Sequence, residues 1–314
     1  MKICIVGVGH VGSALAYAIV LKGLCDHLVL VSRDEAKSRG DAMDLEHSLA
    51  FCERPMMIEG TTLENVHDCD IVVITVSAAT PVKMKTRMEL AEVNLPIFSE
   101  LIPGIAAANP NAILMIITNP VDVMTYWATQ LSGLSSSKVM GVGTLVDSAR
   151  FRSLLSKAEQ IHPDDLRAYI LGEHGPHQFP VFSHAMAGGE PIEDNSKHRK
   201  IYEQVANAGF EVYGLKGYTN FAIATAACTV IQAIVYDEHR TMPISTAFKE
   251  WQGITDNCFS IPVVIGRSGV IRHLQPELNS QEKQSLQLVA SVFRQNIDHL
   301  LADFSTHTGK PQSV

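Results

Sequence analysis

Near the start of the chain, Ile3-Cys4-Ile5-Val6 runs directly into Gly7-Val8-Gly9-His10-Val11-Gly12, and no other stretch restricts the fold so tightly. Four consecutive apolar residues suit a strand buried on both faces. A G-x-G-x-x-G turn behind such a strand opens a helix whose first amides point at a phosphate. Gly7 permits the turn, Gly9 lets backbone approach a pyrophosphate, and Gly12 lets the helix lie close on the strand; Val11 sits among them as a further contact candidate. The competing reading of residues 1–23 is a signal peptide. It is weakened by the glycines that interrupt its apolar core and by the lack of a clean A-x-A-like site.

The rhythm downstream extends this beginning. Residues 11–22 carry apolar side chains at helical spacing and stop at Gly23. A second apolar strand, 28–31, follows, then a helix capped by Asp34 and ending near 48, a short strand at 56–58 and a buried strand at 69–76. Helix 87–108, strand 112–118, helix 121–131, strand 138–142 and helix 147–160 continue it. The spacing predicts an α/β fold: a doubly wound, Rossmann-type parallel sheet over residues 1–143, and an α+β catalytic domain over 144–314. In that second part the pattern predicts short strands at 168–171 and 180–185, one or two helices over 197–235 broken near 214–217, several short strands over 243–271, and an amphipathic helix over 281–303. A polar tail at 307–314 reads as frayed.

Composition narrows the partners. A formal charge of −8 over 314 residues leaves no basic footprint for a nucleic acid or an anionic membrane. The longest markedly apolar helical stretch in this reading, 222–235, is too short to cross a bilayer. Six cysteines are scattered without a C-x-x-C or zinc-like spacing, so they read as small buried hydrophobes in a reducing compartment. A cytoplasmic protein with no metal is expected.

Three stretches beside strand ends and glycines can carry chemistry. In Thr118-Asn119-Pro120-Val121-Asp122, Asn119 falls outside the carboxyl end of a parallel strand, where ligands of such sheets bind; a turn Asn is the plainer alternative. Asp147 and Arg150 are three apart at the opening of a helix, where a weak surface ion pair is the plain reading. In Gly172-Glu173-His174-Gly175 a histidine stands on a loop, and its unperturbed pKa lies nearest neutrality. Hydride transfer to a 2-keto acid needs a general acid for the carbonyl oxygen, a carboxylate to orient it and a guanidinium to grip the substrate carboxylate. His174, Asp147 and Arg150 are of those types, and Arg87 is the candidate that polarises the carbonyl.

These motifs, with Gly40-Asp41-Ala42-Met43-Asp44-Leu45, Thr86-Arg87, Gly143-Thr144-Leu145-Val146-Asp147-Ser148-Ala149-Arg150-Phe151-Arg152 and Leu215-Lys216-Gly217-Tyr218-Thr219, occur in the order and spacing of one family. The chain resembles the L-lactate/malate dehydrogenase family along nearly its whole length. The resemblance implies an NAD(P)-dependent L-2-hydroxy acid dehydrogenase, assembled as a homotetramer or homodimer. His174 would be the proton donor and acceptor, Asp147 its partner, Arg150 the carboxylate anchor, Arg87 the polarising residue on a lid, and Asn119 a contact near the nicotinamide. Thr219 and Ile223 match positions lining the substrate side of a lactate-type pocket. The alternatives are a malate dehydrogenase or a catalytically silent dinucleotide-binding protein.

Two departures from the family pattern bear on specificity. Where NAD-using members carry an Asp at the end of the second strand, this chain has Val31-Ser32-Arg33; a neutral Ser32 removes repulsion from a 2′-phosphate and Arg33 is able to pair with it. The lid, residues 78–87, is one residue longer than usual, with Pro81 where a Gln or Arg discriminates lactate from malate; Lys83 and Lys85 are the nearest cations. An apolar 2-keto acid such as pyruvate or 2-ketoisocaproate is therefore expected rather than oxaloacetate. Arg152 and Arg167 match positions where some bacterial lactate dehydrogenases hold a sugar bisphosphate, with solvated surface arginines as the plainer reading.

Overall fold

The computed structural model describes residues 1–78 and 87–308, with the side chains of Arg87 and residues 302–308 left undescribed. The elements run β1 (Lys2–Val6), α1 (His10–Lys22), β2 (His27–Val31), α2 (Glu35–Ser48), β3 (Met57–Thr61), β4 (Ile71–Ile74), α3 (Arg87–Ala108), β5 (Ile113–Ile116), α4 (Val121–Ser132), β6 (Val139–Gly141) and α5 (Leu145–Glu159). Then come β7 (Leu166–Arg167), β8 (Ile170–Leu171), β9 (Phe179–Pro180), β10 (Met186–Ala187), β11 (Glu190–Pro191), α6 (Ser196–Lys216), α7 (Phe221–Val235), β12 (Arg240–Trp251), β13 (Ile254–Gly266), β14 (Gly269–His273) and α8 (Ser280–Thr308).

β1 to β6 lie in the order β3-β2-β1-β4-β5-β6, all parallel, as a doubly wound sheet requires. Both faces are covered. Ile3, Ile5, Leu28, Leu30, Val73 and Met115 point into one apolar cluster shared with α1 and α7. Their neighbours Cys4, Val6, Val29, Val72, Leu114 and Ile116 point into the other, shared with α3 and α4. Each such side chain contributes about 1.5–3 kcal/mol when removed from water, which is why these strands read as unbroken apolar runs. Asp34 caps α2 as expected, accepting from the amides of Ala36 and Lys37.

Beyond residue 143 the structure corrects several expectations. The short strands expected over 243–271 are instead a long hairpin, β12 and β13, with β14 beside it, and this hairpin joins the main sheet where Ser245 faces Gly141. Pro243 and Pro262 lie within it and face each other in register, where neither missing N–H interrupts the pairing. Of residues 180–185 only Pro180 is strand, since 182–184 form a tight helical turn, and β8 covers only half of 168–171. The break between α6 and α7 falls at Gly217, which caps α6 in the left-handed region with φ 80°, while Gly214 stays inside the helix. The 21-residue stretch Met88–Ala108 of α3 is long and apolar enough to cross a membrane by composition, a stretch the reading of 222–235 overlooked. Here Leu95, Phe98 and Ile102 bury it against the sheet. The tail from residue 309 lies outside the described residues.

Candidate active site

The glycine turn forms a cradle. Gly7 has φ 105°, and a Cβ there would press to 2.9 Å of the Thr75 hydroxyl, which itself donates to the Gly7 carbonyl. A Cβ on Gly12 would lie 2.0 Å from that carbonyl, so both positions are closed to side chains. At Gly9 a Cβ would meet nothing within 4 Å, and no side chain caps the first turn of α1. Open space facing uncapped helix amides, with no acidic side chain in the first turn, fits the pyrophosphate of a dinucleotide. The Gly7 amide donates to the Val31 carbonyl at 2.8 Å, so the end of β2 lies beside this turn. Ser32 follows there, half-buried, its hydroxyl accepting from the Asp34 amide at 3.2 Å, and Arg33 is exposed.

Deeper in the fold, α5 and the loop after β8 bring three predicted residues together. Asp147 is buried in the first turn of α5; its Oδ2 lies 2.5 Å from His174 Nδ1 and its Oδ1 accepts from Arg150 Nη1 at 2.9 Å. One carboxylate thus orients both the imidazole and the guanidinium, with side-chain exposures of 2% for Asp147, 17% for His174 and 21% for Arg150. Gly209 of α6 lies against the guanidinium, where a Cβ would approach to 3.6 Å. The histidine loop is pinned at its root by reciprocal backbone bonds between Gly172 and Ser260 of β13, each 2.9 Å. The Ser260 hydroxyl also accepts from the Thr144 amide.

His174, Arg150, Asn119, Thr219, Ile223 and Val11 line one cleft of about 80 Å³. The remaining lining is apolar or glycine, so Arg150 and His174 are its titratable groups among the described residues. Asn119 is exposed at the cleft, and its carbonyl accepts from the Asn94 amide at 2.8 Å. Arg87 contributes the first residue of α3; its side chain and the lid residues Pro81, Lys83 and Lys85 lie outside the described residues.

Sequence reasoning passed over two residues in this scaffold. Asp122, in the first turn of α4, is buried and accepts from the His174 amide at 2.7 Å. Burial pushes its carboxyl up to about 7, opposed by the Ser245 hydroxyl and the His174 amide. Asn94 is fully buried in α3 and bridges the Asn119 carbonyl to the Ala78 amide at the root of the lid stretch. A carboxylate and an amide inside otherwise apolar helical runs are the local signals that mark them.

Arg152 and Arg167 lie elsewhere, lining a separate cavity of about 420 Å³ with Arg240, Tyr169 and Asp164. Burial, helped by the neighbouring Arg167 and Arg240, holds the Arg152 guanidinium below its ordinary range.

A parallel dinucleotide-type sheet feeding a histidine–carboxylate–arginine cluster defines a class, the two-part α/β dehydrogenases. The comparisons make the assignment definite. Residues 1–141 match the lactate/malate dehydrogenase NAD-binding domain, and residues 144–303 match the lactate/malate dehydrogenase alpha/beta C-terminal domain. An L-lactate dehydrogenase of Gloeobacter violaceus is 40% identical over 308 residues, covering 95% of this chain and 93% of the relative. One from Halalkalibacterium halodurans is 37% identical, covering 90% and 92%. Among solved structures, a lactate dehydrogenase from a Medee basin deep-sea metagenome superposes with a TM-score of 0.90 at 34% identity, covering 95% of this chain and 98% of that one. The minor L-lactate dehydrogenase of Enterococcus mundtii gives 0.89 at 29%, with the same coverage. The chain belongs to the lactate/malate dehydrogenase family.

Proposed function

We propose that this chain is an NAD(P)-dependent L-2-hydroxy acid dehydrogenase interconverting pyruvate and L-lactate, or a bulkier apolar 2-keto acid and its L-2-hydroxy acid. The observation that carries the reading is Asp147, shared between His174 and Arg150 beside an otherwise apolar cleft. With His174 protonated, these three described side chains hold two cations against one carboxylate, an excess of positive charge that suits a substrate carboxylate. Among the described residues, a second substrate carboxylate would face Thr219, Ile223 and the apolar wall.

His174 bonds Asp147 through Nδ1, and its Nε2 is the nitrogen that would hand a proton to the carbonyl oxygen as the substrate is reduced, or take it back in oxidation. Asp147 holds the ring's orientation and stabilises the imidazolium. Arg150 spends one N–H on Asp147 and offers its others to the carboxylate. A bound nicotinamide dinucleotide supplies the hydride. Gly7, Gly9, Val11 and Gly12 would hold its pyrophosphate end, Asn119 would contact its ring, and Arg87 is assigned to polarising the carbonyl by family resemblance. Residues 1–143 are read as the dinucleotide-binding part and 144–314 as the catalytic part. A panel of 2-keto acids assayed with NADH and NADPH tests the function: pyruvate or 2-ketoisocaproate should lead, and faster turnover of oxaloacetate, or none with any acid, overturns it.

Four finer readings accompany this one. Ser32 and Arg33 support use of NADPH alongside NADH; a strong NADH preference in kcat/KM refutes that. The Arg152, Arg167 and Arg240 cluster suits a polyanion, and fructose 1,6-bisphosphate should activate, an unchanged rate meaning no effector site there. Exposed Tyr17 and Leu21 of α1, Met43 of α2 and Phe51 just after it support a homotetramer or homodimer, and free cysteines support the cytoplasm; sedimentation at working concentration tests the oligomer by mass, a monomer counting against it.

A further inference from the structure

His10 is the first residue of α1, directly after Gly9, and its ring lies flat on that of Tyr218, with centroids 3.8 Å apart and planes 5° from parallel. Tyr218 stands between Gly217, which ends α6, and Thr219, which lines the substrate cleft. On the same turn, Lys216 Nζ lies 4.4 Å from the ring centroids of both Tyr218 and Phe221 and donates to Asn220 Oδ1 at 2.8 Å. The arrangement is not core packing: His10 is exposed, Phe221 is 71% exposed, and the apolar contact of α1 with α7 runs below it through Leu15, Ile19, Ala227 and Ile231. It therefore contributes little to folding and bears chiefly on where the α6–α7 turn sits. The two ends it joins are functionally distinct. His10 follows the phosphate cradle, and Val11, next to it, lines the same cleft as Thr219 and Ile223.

We propose that the His10–Tyr218 stack is a clasp that ties the α6–α7 turn to the glycine loop, so that occupancy of the dinucleotide cradle sets the Thr219–Ile223 wall of the keto-acid site. His10 and Tyr218 are positioning residues in this scheme; the proton and hydride steps do not pass through them. The inference rests on the dehydrogenase reading above for its substrate arm. A ring pair with His10 exposed and Tyr218 half-buried, held by a neighbouring ammonium, is worth enough to bias a turn and too little to lock it.

Four variants and two measurements test it. At saturating NADH, His10→Ala should raise KM for pyruvate about 2- to 10-fold, the fold-change of losing one aromatic pair, while kcat stays within about two-fold. His10→Phe keeps a ring for Tyr218 and should restore the wild-type KM. Tyr218→Ala, which also removes the ring under Lys216, should lose at least as much as His10→Ala, and the double variant should lose no more than Tyr218→Ala, because the stack is already gone in each single variant. Independently of turnover, hydrogen exchange followed by mass spectrometry should show NADH protecting amides 217–223 in the wild type and in His10→Phe but not in His10→Ala. Equal NADH protection in His10→Ala, additive losses, or a His10→Phe variant as impaired as His10→Ala would overturn the clasp. Protection that follows His10 in a chain without turnover would sink the dehydrogenase reading and keep the clasp; turnover with protection indifferent to His10 would do the reverse.

Discussion

Asp122→Asn should make the protein's stability less dependent on pH, and the size of the effect follows from where Asp122 lies. The carboxyl is buried in the first turn of α4, with burial raising it from 3.8 to about 7. A shift of about three pKa units at 1.36 kcal/mol each is about 4 kcal/mol in full. Because the folded pKa is raised, the folded chain keeps a proton that the unfolded chain releases between about pH 4 and pH 7. The ionisation of Asp122 therefore adds little cost below pH 4, becomes progressively destabilising as pH rises through that window, and levels off above pH 7. The variant removes this dependence. From pH 5 to pH 8 the stability difference should move about 3 kcal/mol in favour of Asp122→Asn. Urea unfolding of both proteins at pH 5, 6, 7 and 8, at one protein concentration, reads it directly. Since the Asn oxygen still accepts the His174 amide, kcat should hold within a few-fold, whereas Asp122→Leu strands that amide and should lose far more. A stability difference that does not change with pH would refute the reasoning.

His174→Gln should lower kcat by about 10²- to 10⁴-fold while NADH binding, followed by fluorescence, stays as in the wild type; loss of both together would argue for a structural role. Arg150→Lys keeps the charge but not the planar fork, so KM for pyruvate should rise about 10- to 100-fold with a smaller change in kcat. An unchanged KM would remove Arg150 from the carboxylate site. Ser32→Asp places a carboxylate where a 2′-phosphate would approach and should move the kcat/KM ratio at least about tenfold toward NADH; a ratio that does not move would show that Ser32 has no part in cofactor choice.

The parallel sheet was legible because its causes are local. Unbroken runs such as Val72 to Ile74 and Leu28 to Val31 mark strands covered on both faces, and Gly23 and Asp34 punctuate the helices between them. The hairpin of β12 and β13 was not, because Pro243 and Pro262 look like breaks until the chain is folded and they are found opposite one another. The site divides along the same line. Asp147 and Arg150 are three apart on one helix, so their meeting is a matter of local geometry. His174 reaches Asp147 from 27 residues away, and the parts that make this possible are scattered further: Ser260 pins the loop's root, and Asp122 holds the His174 amide from another helix. Spacing in the chain carries no signal for such bonds; what does carry one is cost. A carboxylate among Val121, Val123 and Met124, or an amide between Val93 and Leu95, is expensive to bury unless a distant partner compensates it, so the polar residues that break an apolar helical pattern are where the supports of a site should be sought.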